Sequence, residues 1–448
     1  MYIGWHNHSD IGSNQRFKDT INRIPDMINY ACDLGHKGIC FTDHESVSNA
    51  IQVENAFNAV KDEPRFEGFK IALGNEIYLC KDDVCVENKE PMEFPHFLLI
   101  ALNAKGHKQL RELNTRAWSR AFMKGVMRVP TYFFDIDEII GSDKGNVVAA
   151  TACLGGTVPK FILNYRETGD SSYLERAKQW ITVMDETFGH GNFFLEMQSS
   201  DLEEQWYVNK ELLKISEETD IPYVITTDAH YLKREDRELH RIYLTSQDAD
   251  RETDSFYSAT YIQSEREIHS YLDHVLGADA VQKGIDNTCL IYDRIESYSL
   301  KHPLHIPYMP LDTTEPNKED YERYVAIIPK LKDFYESEHA SDRHLVREVV
   351  KALDNNADFR ETDMFNHLGV CLDAIWISSE KMNTRWSAYL LQMKDYIDII
   401  WDKGGSLVGL ARGSGTGFGL LDVLGITQIN PLKENTKTFP WRSTLKAS

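Results

Sequence analysis

The sequence predicts an α/β fold in which parallel strands close into a barrel, followed by a second region that is mainly helical. Short apolar runs alternate with helix-period segments in the first half, metal-capable side chains follow several of these runs, and prolines cluster at residues 303–316. Repeated strand–helix units produce parallel strands. Because several different strands contribute polar residues at their ends, the pattern favours a barrel over an open, doubly wound sheet.

Six apolar runs are the predicted strands, at residues 38–41, 70–73, 97–101, 147–150, 193–195 and 223–225. The opening residues 1–6 also indicate a strand, which leads into a polar site. Three segments between the runs place apolar residues on one helical face, at residues 24–34, 51–60 and 174–184. The first of these helices is expected to stop at Gly35. A polar stretch at residues 285–320 predicts a boundary, with helices from about 319 to 403 after it.

The composition excludes several classes of protein. With 448 residues, 42% of them hydrophobic, the chain is long enough for two or three domains with substantial cores. No apolar run is long enough to span a membrane and no leader opens the sequence, so we expect a soluble, cytoplasmic protein. The seven cysteines are scattered and odd in number, which argues against a disulfide framework. The net charge of −21 argues against a protein that wraps nucleic acid by bulk charge.

Histidines and carboxylates form the main chemical pattern. His6 and His8 are two residues apart in a predicted strand, so both imidazoles can face one metal. Residues 43–44 and 228–230 each place an aspartate and a histidine at a strand end. Imidazole and carboxylate ligands suit zinc, manganese or iron. These candidates exceed what one tetrahedral ion needs, which indicates two or three adjacent metals.

Four further residues are candidates for the same site: Asp19, Glu76, His96 and Cys153. Asp19 is equally consistent with the N-cap of the helix that follows it. Taken alone, Cys153 is more consistent with a small buried apolar residue. Glu76 and Cys153 follow predicted strands, whereas His96 precedes its strand and fits the rule of strand-end ligands least well.

Together these residues resemble the polymerase and histidinol phosphatase (PHP) family. The resemblance implies a distorted (β/α)7 barrel over residues 1–285, with two or three metal ions. It implies nine metal ligands, which are His6, His8, Asp19, His44, Glu76, His96, Cys153, Asp228 and His230. It also implies phosphoester hydrolysis, which in some replicative polymerases is a 3′–5′ proofreading exonuclease. We expect His8, Asp43 and Asp228 to be catalytic, with Asp43 orienting a histidine without binding metal itself.

The second half of the sequence carries another resemblance. Three segments are similar to the palm of C-family DNA polymerases, the alpha subunits of DNA polymerase III, at residues 389–391, 407–415 and 424–432. The resemblance implies a partial α+β palm over residues 286–448. It also implies that Arg412, Gly413 and Ser414 hold the incoming nucleotide. Glycines let the backbone approach phosphate, while N–H groups, a hydroxyl and an arginine bind the anion.

The sequence departs from that family near its end. Residues 438–442 begin a stretch like the one that precedes the palm carboxylates, but residues 443–448 close the sequence before them. We therefore expect a fragment of a bacterial or phage polymerase that cannot polymerise alone, since magnesium-dependent polymerisation needs those carboxylates. The expected partners are a DNA primer terminus, a deoxynucleoside triphosphate in the complete enzyme, the remaining polymerase fragment and a sliding clamp. No membrane partner is expected.

Two alternatives stay open. A small-molecule phosphatase of the same barrel class would hydrolyse a small phosphomonoester rather than a 3′-ended oligonucleotide. A metal-stabilised structural module would melt at a lower temperature after chelation without losing any activity.

Overall fold

A computed structural model of the chain describes residues 1–15, 17–80, 93–124, 126–247, 253, 256–303 and 318–433. It divides into two compact units, residues 1–301 and 302–448. This division falls later than the boundary predicted between residues 285 and 286. The palm-like residues 438–448 lie outside the described residues.

Seven strands of the first unit form one continuous sheet, in the order β1-β2-β3-β4-β8-β9-β10, and the short β7 pairs with the end of β3. A separate hairpin is formed by β5 and β6. The strands are β1 (Ile3–Gly4), β2 (Gly38–Phe41), β3 (Lys70–Cys80), β4 (His96–Ala101), β5 (Phe122–Lys124), β6 (Val126–Arg128), β7 (Thr131–Tyr132), β8 (Val147–Ala150), β9 (Phe193–Gln198) and β10 (Tyr223–Thr226).

The first and last strands of the sheet come together just beyond their carboxyl ends. Asn7 pairs with Ala229 as an isolated parallel bridge. The backbone N–H of His8 donates to Ala229 O at 3.0 Å, and the N–H of Ala229 donates to His6 O at 3.1 Å. The sheet is therefore a nearly closed barrel, and the predicted α/β barrel is confirmed.

One strand runs against the others. The pairs β1/β2, β2/β3, β8/β9 and β9/β10 are parallel, but β4 is antiparallel to both β3 and β8. The prediction of parallel strands was wrong for β4. Because β4 is reversed, its first residue, His96, lies at the end of the barrel where the parallel strands finish.

Helices cover the outside of the barrel. They are α1 (Ile24–Asp33), α2 (Ala50–Asn58), α3 (Ala104–Ser119), α4 (Phe133–Ile136), α5 (Thr157–Thr168), α6 (Ser172–Phe188), α7 (Glu203–Thr219), α8 (Arg237–Gln247), α9 (Glu265–Leu276) and α10 (Ala278–Asn287). Apart from α8, their apolar faces pack on the outer face of the sheet, where Phe97, Leu99 and Leu195 are fully buried. This burial is the main stabilising contribution to the layer between helices and sheet.

The inner face of the sheet forms a second apolar cluster. Side chains from every strand of the continuous sheet contribute to it, namely Ile3, Trp5, Cys40, Ala72, Leu98, Ile100, Val148, Ala150, Phe194 and Val224. Ile291 and Ile295 join this cluster from the segment after α10. Because side chains alternate along a strand, the next inward residues fall nearer the carboxyl end of the barrel, where the polar residues lie.

The described residues of the second unit form helices and no strand. The helices are α11 (Lys318–Val325), α12 (Leu331–Tyr335), α13 (Ala340–Asn355), α14 (Thr362–Lys381), α15 (Trp386–Asp402) and α16 (Gly419–Val423). Leu345, Val349, Leu368 and Leu372 lie in its buried core. Helices run from Lys318 to Asp402, in agreement with the helical region expected at residues 319–403. The predicted α+β palm remains a prediction, because the described part of this unit contains no strand.

Within the described residues, no helix combines the length and the apolar composition needed to cross a membrane.

Candidate metal centre

The first two histidines point into one site, as their spacing predicts. Their ring centroids lie 5.0 Å apart. His6 Nε2 is 3.3 Å from Asp228 Oδ1, and His8 Nε2 is 3.0 Å from the same oxygen. Asn7, between them, points away and donates from Nδ2 to the carbonyls of Gly4 and Cys40, at 3.0 Å in both cases. The alternation of a strand therefore continues through residue 8 and gives the two imidazoles a shared carboxylate.

Glu76 lies at the centre of the site. Its Oε1 is 2.7 Å from His96 Nδ1 and 3.6 Å from His6 Nε2. Its Oε2 is 2.6 Å from His44 Nδ1 and 3.6 Å from His8 Nε2. One fully buried carboxylate thus contacts four imidazoles, a position suited to bridging metal ions.

Asp19 closes the site on another side. Its Oδ2 is 3.3 Å from His44 Nε2 and 3.9 Å from His230 Nε2. Asp19 is only 3% exposed, and it is separated from the start of α1 at Ile24 by four residues. The structure therefore places Asp19 in the site rather than at the N-cap of that helix, which is Arg23.

His96 and Cys153 lie together at the edge of the site. Cys153 Sγ is 3.3 Å from His96 Nδ1 and 3.9 Å from Glu76 Oε1. His96 reaches this position because β4 is antiparallel, as described above. The structure thus brings all nine predicted ligands to one end of the barrel.

Three overlapping groups within this set have ligand atoms close enough to share an ion. They are His8–His44–His230, His6–His8–Asp228 and His44–Glu76–His96, each with its ligand atoms within 4.8 Å of one another. His8 and His44 each belong to two groups. This overlap is the geometry expected of adjacent metals that share ligands.

Asp43 is not among these groups. Its carboxylate accepts hydrogen bonds from Ser9 N at 2.5 Å, from Ser9 Oγ at 2.6 Å, from Ser13 Oγ at 2.9 Å and from Asn49 Nδ2. Ser13 Oγ in turn lies 3.0 Å from His8 Nδ1. Asp43 therefore makes no direct hydrogen bond to a histidine among the described residues, and is linked to His8 through Ser13.

Glu196 is a functional candidate that the sequence analysis missed. Its Oε1 is 2.6 Å from His6 Nδ1, accepts from Thr226 Oγ1 at 2.6 Å and accepts from Gln198 Nε2 at 3.3 Å. Gln198 Nε2 also lies 3.3 Å from Asp228 Oδ2. The signal was a carboxylate inside the apolar run Phe193–Gln198, because a charged residue buried in a strand needs a partner.

The electrostatics of the site prepare it for cations. Burial and the neighbouring His44 lower the pKa of His8, and burial with repulsion from His8 lowers the pKa of His230 to about 4. Both imidazoles are therefore neutral near pH 7, the form that binds metal. Burial opposes ionisation of Asp228, but the imidazoles around it, His6 foremost, hold its pKa well below the usual range. Its carboxylate is therefore charged and available to a cation.

The surrounding carboxylates raise the pKa of two other imidazoles. Burial lowers the pKa of His44, but Glu76 and Asp19 outweigh it and raise that pKa to about 10. In the same way, the carboxylates of Asp228, Glu196 and Glu76 raise the pKa of His6 well above its usual value despite burial. This concentration of buried negative charge requires compensating positive charge, which protons or metal ions can supply.

The chemistry of the donor set fits divalent metals. Among the described residues, His6 Nε2 is a buried ligand atom that forms no hydrogen bond, whereas His44 Nδ1 and Glu76 Oε2 face each other at 2.6 Å. Leaving buried polar atoms without partners is costly, and a cation bound to them would remove that cost. Imidazole nitrogens, carboxylate oxygens and one thiol suit zinc, manganese or iron.

Backbone strain accompanies the site. Lys18, Glu45, Ala152 and Asp228 have φ values of 50°, 47°, 60° and 47°. Each either is a predicted ligand or is next to one. A positive φ is uncommon in residues other than glycine and concentrates at functional sites, where it aims a side chain after a strand end.

The predicted nucleotide-binding residues lie in the other unit. Gly413 has a φ of 68°, a conformation that favours glycine, and begins a short 3₁₀ turn at Gly413–Gly417 that includes Ser414. Arg412, which precedes the turn, is exposed. The role of these three residues in nucleotide binding stays a prediction.

Comparisons with known proteins agree with this geometry. Residues 5–200 match the family model of the PHP domain. A curated relative from Bacillus subtilis, "Probable DNA polymerase YorL", is 37% identical over 457 aligned residues, which cover 96% of this chain and 34% of the relative. A DNA-directed DNA polymerase of Bacillus phage SPbeta matches with the same identity and coverage.

More distant matches include the DNA polymerase III subunit alpha of Borreliella burgdorferi. It is 27% identical, and the alignment covers 97% of this chain and 33% of that protein. The chain thus spans about a third of the length of these curated relatives. Among solved structures, PsfC from Pseudomonas syringae is 13% identical with a TM-score of 0.29, covering 51% of this chain and 75% of PsfC.

The barrel and the family match together define a PHP domain in the first unit. Over almost its whole length, the chain is a homologue of the DNA polymerase III alpha subunits and of the related Bacillus and SPbeta polymerases. Both resemblances seen in the sequence are confirmed. Asp228 and His230 lie beyond the matched residues 5–200, yet contact the ligands within that range.

Proposed function

We propose that the PHP site of this polymerase homologue is a metal-dependent 3′–5′ exonuclease that removes nucleotides from a primer terminus. One observation carries the proposal: nine side chains, from positions 6 to 230, converge at one end of the barrel, and seven of them form overlapping three-ligand groups. A site with several divalent metals supplies a hydroxide near neutral pH and stabilises the charged oxygens of a phosphodiester during hydrolysis.

The chain's own residues have distinct parts in this proposal. Glu76 would bridge metals, because its two oxygens face different histidines. His8 and Asp228 belong to the same group and would hold one ion between them. Asp43 would position His8 through Ser13 and would touch neither metal nor DNA.

For the longer protein to which its relatives correspond, we propose further partners. These are DNA, a deoxynucleoside triphosphate held by Arg412, Gly413 and Ser414 with magnesium, the remaining polymerase segments and a sliding clamp. Because this chain carries a net charge of −21, those segments would make most of the contacts with DNA. We propose that the protein works in the cytoplasm.

The test is primer shortening by the purified protein loaded with manganese or zinc. Wild type is compared with His8→Ala and Asp228→Ala on a 5′-labelled primer–template, where a 3′–5′ exonuclease produces a ladder of shorter products. The matched controls are His190→Ala, whose side chain is 71% exposed, and the exposed Asp62→Ala. We expect wild type and both controls to shorten the primer, and both site variants to lose at least a hundredfold in rate.

Two results would overturn the proposal. If the loaded wild type cleaves small phosphomonoesters but no 3′-ended oligonucleotide, the site is a small-molecule phosphatase. If it cleaves neither, and chelation only lowers the melting temperature, the barrel is a structural module.

A further inference from the structure

Aromatic side chains line two sides of the metal centre. We call Phe17, Tyr78, Phe256 and Tyr257 the aromatic rim. On one side, the Phe17 ring is 5.0 Å from the His44 ring at an interplanar angle of 70°, and 5.8 Å from the Tyr78 ring at 72°.

On the other side, the rim contacts a different histidine of the centre. The Tyr257 ring lies 5.2 Å from the His230 ring at 78°, and the Phe256 ring lies 6.3 Å from it at 79°. Phe256 and Tyr257 are 5.0 Å apart. The rim thus approaches, from two sides, the group that contains both His44 and His230.

The rim is not explained by the packing of the core. Phe17, Phe256 and Tyr257 are half-buried and belong to none of the apolar clusters of the described residues. Phe17 contacts the ring of His44, and Phe256 and Tyr257 contact the ring of His230 and each other. Tyr257 also lies 5.1 Å from the ring of His240. Half-exposed rings beside a phosphoester site offer flat apolar surface to a ligand that is itself flat.

A nucleobase is such a ligand. Stacking of a base on an aromatic side chain contributes to binding without a basic surface and tolerates any base. The chain carries a net charge of −21, so contacts with phosphate alone are a poor source of affinity. Stacking of the terminal base would also place the adjacent phosphate at the metal ligands.

We infer that the aromatic rim holds the terminal nucleobase of the substrate by stacking, with Phe17 on one side and Phe256 and Tyr257 on the other. This inference rests on the proposed exonuclease function and specifies its substrate as a nucleotide with its base attached. It makes the rim a determinant of specificity that separates a nuclease from a phosphatase of small phosphomonoesters.

The test uses two single-stranded oligonucleotides that differ only at the 3′ end, where one carries a normal nucleotide and the other an abasic analogue. For metal-loaded wild type, we expect the ratio of KM for the abasic end to KM for the normal end to be about ten. In Phe17→Leu and Tyr257→Leu, which keep apolar volume but remove the ring, this ratio should fall towards one. In Phe17→Tyr, which keeps an aromatic ring, the ratio should equal that of wild type. The control is Phe57→Leu, which should keep the wild-type ratio, because Phe57 is a half-buried ring on α2 that packs edge-to-face against Phe66.

The ratio distinguishes stacking from a merely structural role, since loss of metal would slow both substrates equally. Cleavage with a wild-type ratio of one, or a ratio that survives in both leucine variants, would overturn the inference and leave the exonuclease intact. If wild type cleaves neither oligonucleotide, calorimetric binding of thymidine 5′-monophosphate and deoxyribose 5-phosphate decides. If wild type binds the nucleotide more tightly than the sugar phosphate, and Phe17→Leu loses this difference, the stacking role of the rim is supported although the exonuclease proposal fails. If wild type binds the two ligands equally, both proposals are overturned.

Discussion

Glu196 Oε1 lies 2.6 Å from His6 Nδ1, and both side chains are completely buried. This contact holds the Nδ1 edge of His6 and leaves Nε2 facing Asp228 and Glu76. Carboxylates in this position fix the orientation and tautomer of a metal-binding imidazole.

We therefore predict that Glu196→Gln weakens metal binding and slows hydrolysis by roughly 10- to 100-fold while the fold persists. The glutamine keeps the shape of the side chain but loses its charge. Metal affinity is measured by competition with a chelator, and activity is measured as the rate of cleavage of an oligonucleotide. The control is Glu203→Gln, the same exchange at an exposed residue at the start of α7. An unchanged metal affinity in Glu196→Gln would show that this contact is only structural.

Asp43 is predicted to act through Ser13. Asp43→Ala removes the acceptor of three side chains and one backbone N–H, so it should destabilise the fold by about 3 kcal/mol or more. Ser13→Ala removes the link between Asp43 and His8 and the acceptor of the His44 N–H, and should reduce activity with a smaller loss of stability, on the order of 1–2 kcal/mol. Urea unfolding and oligonucleotide cleavage separate the two effects. Full activity in Ser13→Ala would contradict this chain of contacts.

The segment after α10 is predicted to be essential to the first unit. Thr288 accepts the N–H of Ile3 at its Oγ1 and the indole N–H of Trp5 at its carbonyl, at 3.0 and 2.9 Å. Ile291 and Ile295 are buried in the inner cluster. A protein of residues 1–285 should therefore melt at a lower temperature than one of residues 1–301, or fail to fold. Equal melting temperatures in calorimetry would support the earlier boundary.

Acid should destabilise the first unit through His36. Burial lowers the pKa of His36 to about 4 from its ordinary 6.5, although Nε2 lies 3.0 Å from Gln263 O. Between these values the unfolded chain binds more protons than the folded one, so the free energy of unfolding falls as the pH falls from about 6.5 to 4. This residue accounts for a loss on the order of 2–3 kcal/mol.

The measurement is urea unfolding of wild type and His36→Gln between pH 4 and 7.5, with chelator in both samples. Glutamine can still donate to the Gln263 carbonyl but does not titrate. The variant should therefore show a shallower loss of stability than wild type over this range. Parallel curves for the two proteins would contradict the assignment to His36.

The sequence predicted those parts of the fold that depend on local pattern. The strand expected at residues 223–225 is Tyr223–Thr226, and the helix expected to stop at Gly35 ends at Asp33, with Gly35 at a φ of 80°. These features follow from apolar periodicity and from the backbone freedom of glycine, both of which are local.

The parts that could not be predicted depend on contacts between distant positions. The direction of β4, and hence the place of His96, is set by its pairing with β3 and β8. Glu196 meets His6 across 190 positions of sequence. Periodicity does not encode either relationship. It also does not show that Thr288, which lies beyond the predicted boundary at residue 285, accepts a hydrogen bond from the indole N–H of Trp5.

The most direct measurement is the number of metal ions bound per chain, by mass spectrometry of the metal content after loading and removal of excess manganese or zinc. The central claim is that the nine converging side chains form one centre for several ions. The account predicts two or three ions per chain in wild type, and the loss of at least one in Glu76→Gln, because Glu76 contacts four of the imidazoles. One ion or none in wild type, or an unchanged count in Glu76→Gln, would contradict it.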